Sequence, residues 1–196
     1  MNLPSAKEYI LQRLRFDLDS RLVYHSYEHT VDVYEAAREL GNREAVPEED
    51  QILLETAALF HDSGMLTGYL DHEEKSASFA SEKLPEFGYT NDQISRIRQL
   101  ILCTRLPQKA ETRLEQILCD ADLYYLGLDV FFINSFKLRL EWKLFQVHDY
   151  SLLQWFELQQ KFLAAHRYFT DTARMERESG KKKNLAEIGS ILHHPH

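Results

Sequence analysis

The stretch ILLETAALFHDSG, residues 52–64, decides how the chain is read. Pro47 is placed to start a helix in which Leu53, Leu54, Ala57, Ala58 and Phe60 recur at core-facing spacing. That run leads straight into His61 and Asp62 before Gly64 and Gly68 break it, so an imidazole and a carboxylate close a buried helix end. Both groups are costly to strip of water without a partner, and the simplest shared partner is a divalent cation.

The same logic extends outward in both directions. Residues 4–18 read as a first helix, and Ser26 caps a second running to Leu40, with His29 one turn before Val33 on its apolar side. Asp71 with Glu74 predicts a capping box for a helix through about Leu84, and Thr90 with Gln93 predicts another for a helix reaching about Thr104. After a loop at Pro107, a helix from about Glu111 places Leu114, Ile117, Leu118, Ala121 and Tyr125 on one stripe that includes Asp122, and leaves Asp120 beside Arg113 and Gln116. Two long amphipathic helices, about 129–147 and 151–178, complete the wall of the core. Glycine and proline number only 7 and 5 and no alternating strand pattern appears, so the expected fold is all-α: a single-domain helical bundle over residues 1–196, with its core at about 20–130 and C-terminal helices at about 129–190 packed on it.

Composition removes several classes of function. A formal net charge of −8 argues against a broad nucleic-acid surface, which draws its affinity from neutralising phosphates. No apolar run is long enough to span a bilayer, and MNLPSAKEYI lacks the plan of a signal peptide, so a cytoplasmic protein is expected. Cys103 and Cys119 lack metal-type spacing and read as reduced and mostly buried, without a disulfide.

His29, His61, Asp62 and Asp122 form the candidate ligand set for one or two divalent ions, with Mn, Mg, Fe, Zn, Co and Ni all compatible. Adjacent residues point about 100° apart on a helix, so helix face alone does not orient Asp62, but near a helix end both members of the dyad can converge on one ion or on two. Taken singly, a histidine on an apolar face is commonly a hydrogen-bonded core residue, and an Asp such as Asp32 or Asp120 is commonly a cap or an ion-pair partner. Four such groups in three separate segments favour the metal. His25 stands four residues before His29 and can face the same pocket as a proton donor, while Asp32 could accept the free ring N–H of His29.

The order His29, His61-Asp62, Asp122 resembles the H…HD…D signature of the HD superfamily of metal-dependent phosphohydrolases, which implies an all-α fold with the metal held by those residues. The segment YHSYEHTVDV at 24–33 is similar to the HNxxHxxDV segment of class I cyclic-nucleotide phosphodiesterases, which implies that His25 is the general acid. AALFHDSG at 57–64, EEKSA at 73–77, CDADLYYLG at 119–127, LRLEW at 138–142 and KKNLAEI at 182–188 extend the resemblance to a bacterial group of predicted HD-superfamily phosphohydrolases over most of the chain. The resemblance favours Asp122 as ligand, with Asp120 as the alternative. The dyad is followed by Ser-Gly-Met-Leu rather than the Glu-Asp pair of alarmone hydrolases, and no GYP motif of cyclic-dinucleotide hydrolases is present.

The implied activity is hydrolysis of a phosphoester or phosphoanhydride in a small, nucleotide-like substrate; the alternative is a silent sensor that binds nucleotide or metal without turnover. An acidic protein must hold such an anion locally, and Arg105, Lys109, Lys75 and Arg139 are candidates, each with a solvated surface charge as its plain alternative. His72 and Glu73 either approach a second metal or cap a surface helix. Lys181-Lys182-Lys183 contacts phosphate or solubilises a helix start, and the terminal His193, His194 and His196 offer only adventitious metal binding. Substrate, metal and oligomeric state stay open.

Overall fold

The quoted stretch forms helix α3 (Glu48–Phe60) of the computed structural model, which describes residues 1–193. From Leu53 to Phe60 every residue of α3 is buried, not only the apolar stripe. A helix buried on all sides must be enclosed by others. Around it pack α1 (Leu3–Asp17), α2 (Tyr27–Arg43), α5 (Asn91–Cys103) and α6 (Arg113–Asp122), while α4 (His72–Lys83) lies against α5. The polar side chains trapped in α3 are satisfied: Glu55 accepts from the Tyr34 hydroxyl at 3.1 Å and from Gln51 at 2.8 Å, and Thr56 pairs with the Tyr89 hydroxyl at 2.7 Å.

Helix starts follow the cap chemistry with two exceptions. Ser26 accepts from the His29 N–H at 3.3 Å, and Thr90 and Gln93 form the reciprocal box. Pro47, however, stands one place before α3 with φ −58°, at the cap position. The box predicted for Asp71 and Glu74 does not form: Asp71 adopts a left-handed φ of 52° and makes no cap bond. That backbone turns the carboxylate away from the helix amides, and it faces Arg105 at 3.4 Å.

The C-terminal part holds α7 (Phe131–Leu144), α8 (Leu152–Ala165) and α9 (Asp171–His193), so the single helix expected over 151–178 is two. Asp120 explains the break. Rather than lying beside Arg113 and Gln116, it is wholly buried and accepts from the Phe169 N–H at 2.8 Å, the Thr170 N–H at 2.7 Å and the Thr170 hydroxyl at 2.7 Å. In a continuous helix those two amides would bond to carbonyls one turn back. Instead the chain turns extended at His166 (φ −62°, ψ 139°) and α9 begins anew.

Helix α9 then docks on the short 3-10 turn Tyr124–Gly127 that follows α6. A Cβ on Gly180 would lie 2.0 Å from the Gly127 carbonyl oxygen, so only glycine permits this approach. Asn184 adds two hydrogen bonds, to the carbonyls of Leu126 (2.9 Å) and Leu128 (3.1 Å). The lysine run is therefore mid-helix: Lys181 is buried, donates to the His166 carbonyl at 2.8 Å and pairs with Glu178, while Lys182 and Lys183 are exposed. His193 ends α9, and His194 and His196 lie outside the described residues. Among the described residues there is no strand, and no helix is long and apolar enough to cross a membrane. Cys103 and Cys119 are buried, free thiols whose sulfurs lie 3.4 Å apart.

Candidate metal centre and its cavity

Three helix ends meet at one point. His29 lies in the first turn of α2, His61 and Asp62 directly follow α3, and Asp122 is the last residue of α6. His61 donates through Nδ1 to the Ala58 carbonyl at 2.7 Å, which fixes its tautomer and leaves Nε2 free to face the others. That atom is 3.4 Å from His29 Nε2, 3.1 Å from Asp62 Oδ2 and 3.7 Å from Asp122 Oδ1. His29 Nε2 is in turn 3.5 Å from Asp62 Oδ2 and 3.4 Å from Asp122 Oδ1. Four ligands about 2.1 Å from a tetrahedral ion would stand about 3.4 Å apart, so these spacings suit a cation at the centre.

The residues fit an ion on a second count. Asp62 Oδ2 is buried without a hydrogen-bond partner, which a carboxylate oxygen tolerates poorly unless a positive charge faces it. Its other oxygen looks the opposite way, 3.6 Å from His72 Nε2. Two donor groups result, His29–His61–Asp122 and His25–Asp62–His72, and Asp62 reaches both. Burial works against a charge on His61, yet Asp62 and Asp122 outweigh it and push its pKa up to about 9. Burial would likewise raise Asp62, but His61 and His25 hold its carboxyl well below the usual range.

His25 sits in the loop before α2. Its Nδ1 hydrogen-bonds to the carboxylate of Glu141, which also accepts from the backbone N–H groups of Tyr24 (2.8 Å) and His25 (3.0 Å) and from the Tyr69 hydroxyl (3.0 Å). Nε2 is left as the ring atom available to the site. Glu141, wholly buried on α7, is absent from the sequence-derived set. Its signal was its place in LRLEW, one residue before Trp142 and three after Leu138, both of which line the cavity below.

A cavity of about 300 Å³ opens beside the centre. One end presents His25, Asp62, His72 and Asp122; the rest is mostly apolar and aromatic, including Tyr125, Leu138, Trp142 and Phe162, with Glu73, Thr104 and Gln159 among them. His72 and Glu73 line it rather than standing on the outer surface. A second depression of about 370 Å³ also reaches His29 and Asp122, past Asp32, Glu35 and Glu39.

The cations expected to hold phosphate are not on the cavity wall. Arg139 donates to the Tyr150 carbonyl at 3.1 and 2.6 Å, tying down the α7–α8 connection. Lys109 is exposed, and Arg105 is spent on Asp71, Glu73 and Glu74 at 3.4–3.7 Å. Asp32 is exposed and makes no hydrogen bond to His29 among the described residues, and Asp120 points into the α8–α9 junction instead of the centre.

A model of the HD domain family matches residues 26–125, half of the chain. None of the curated proteins compared matches it. Among solved structures it is similar to a predicted HD superfamily hydrolase from an uncultured Thermotogales bacterium, at 22% identity over 98% of this chain and 92% of that one, with a TM-score of 0.65. It is similar to YpgQ of Bacillus subtilis, solved in complex with ADP, at 20% identity over 96% and 95% with a TM-score of 0.67. The Lin1889 protein of Listeria innocua matches at 18% identity over 96% and 92%, with a TM-score of 0.67. At these identities the likeness shows the fold.

Proposed function

We propose that this chain, which belongs to the HD domain family, is a metal-dependent phosphohydrolase that cleaves a phosphoester or phosphoanhydride bond in a nucleotide-like substrate. The observation that carries the reading is the convergence of His29, His61, Asp62 and Asp122, with an orphaned carboxylate oxygen among them, at one end of an otherwise aromatic cavity. The ADP complex of YpgQ supports a nucleotide. A divalent cation supplies an acidified water and a counter-charge for phosphate when bound. With no lysine or arginine on the wall, that counter-charge and the histidines are what receive the anion.

His25 is the general acid in this reading. Burial opposes its charge, but Asp62 and then the Glu141 bond raise its pKa, so the proton is held on Nε2 where a leaving oxygen can take it. Because the acid's anchor is on α7 and the ligands are on α2, α3 and α6, we read residues 1–196 as one catalytic unit. The His25–Asp62–His72 group favours a second reading in which two ions share Asp62 and His25 is a ligand; elemental analysis separates one bound ion from two. A silent sensor has no use for a clamped acid. The test is Asp62→Ala assayed on a nucleotide panel with Mn and Mg: the expected result is loss of bound metal and of at least about 100-fold in turnover. Undiminished hydrolysis by a folded, metal-free variant overturns the proposal.

A further inference from the structure

We propose that Gln159 reads the edge of the substrate's heterocycle, making the cavity selective for a nucleobase that sets a hydrogen-bond donor beside an acceptor. The inference rests on the nucleotide reading of the site and names the residue that recognises the base.

Gln159 lies on α8, is only 6% exposed and lines the cavity. It has no hydrogen-bond partner among the described residues. The carboxamide, with no protein partner, opens on the cavity, where a ligand can take up its donor and acceptor. Its neighbours on α8 that share the wall, Leu158 and Phe162, are apolar. Other polar side chains of the cavity are held by the protein. Thr104 donates to the Ile101 carbonyl at 2.8 Å and Tyr69 to Glu141 at 3.0 Å, and the Tyr24 and Tyr125 rings pack edge-on with centroids 5.9 Å apart. The histidines and carboxylates belong to the metal end, and Glu73 faces Arg105.

The ligand that fits has an anionic end for the metal centre and a flat, mostly apolar end with a polar edge. A nucleobase meets that description: Tyr125, Trp142 and Phe162 offer faces to stack on, and the carboxamide presents a donor and an acceptor side by side. By turning over, the amide matches amino-and-ring-nitrogen edges as well as imide edges, so Gln159 distinguishes bases from base-free phosphates. A carboxylate in its place accepts only. It would favour guanine, which presents two adjacent donors, over adenine.

Titration of the metal-free protein with adenosine and guanosine, by calorimetry, tests this without phosphate, metal or turnover. The expected result is that Gln159→Leu weakens both nucleosides about tenfold or more while its melting temperature is unchanged or raised, and that Gln159→Glu shifts the adenosine-to-guanosine preference about tenfold towards guanosine. Equal nucleoside affinities in wild type and Gln159→Leu, an unmoved preference in Gln159→Glu, or no nucleoside binding by the wild type would each overturn it. Nucleoside binding that depends on Gln159, in a wild-type protein that hydrolyses no nucleotide, keeps this inference and sinks the hydrolase reading. Nucleotide hydrolysis with nucleoside affinities indifferent to Gln159 does the reverse.

Discussion

Glu141 gathers four hydrogen bonds onto two oxygens deep in the molecule, and its charge is matched by His25. Burial alone would raise its pKa, but the His25 bond and the Tyr24 and His25 amides lower it, so it stays ionised. Replacing it by Gln keeps the shape and removes the charge. With less negative potential at His25, the proposed acid would give up its proton at lower pH, so the basic limb of the kcat/KM profile is expected to move down in Glu141→Gln. An unmoved limb, measured across pH with saturating metal, would show that Glu141 only holds the loop. At this scale the grouping of His29, His61, Asp62 and Asp122 was legible because His29 and Asp122 are polar groups on apolar stripes and the His61-Asp62 pair closes an apolar helix. Glu141 was not, because one acid in an amphipathic helix reads as a solvated charge, and only the fold brings His25 across to it.

The elements were legible where local chemistry sets their limits and illegible where a distant side chain does. Ser26 and Thr90 mark their helices from within a turn, whereas the division of α8 from α9 depends on Asp120, 49 residues from Phe169. Asp120→Asn is expected to cost about 1–3 kcal/mol in urea denaturation while leaving metal content intact, and Asp122→Asn to lose metal instead. The same junction carries a titration. Burial and then Lys181 lower the pKa of His166 to about 4. Below the ordinary value near 6.5 the unfolded chain protonates first and binds more protons than the folded one, so stability falls as pH drops from about 6.5 to about 4. His166→Gln is expected to flatten that part of the stability curve, and an unchanged curve would place the pH dependence elsewhere.

On the scale of the whole molecule, the candidate metal centre is where α2, α3 and α6 end or begin together, with α4 and α7 completing its surroundings. An ion held there joins elements far apart in sequence and stabilises the fold as a whole. Manganese at 100 times its Kd is expected to add about 2.7 kcal/mol to the unfolding free energy. The gain is expected to shrink as pH falls below about 9, because His61 must release its proton to accept an ion. Thermal melts with and without metal at several pH values measure both. The second depression gives this centre one more property. Asp122 and Tyr125 line both it and the aromatic cavity, and it reaches His29 and Asp122 from the side of Asp32 and Glu35. On the proposed function, cation and substrate would therefore enter by separate doors, and the ion could be exchanged with the nucleotide in place.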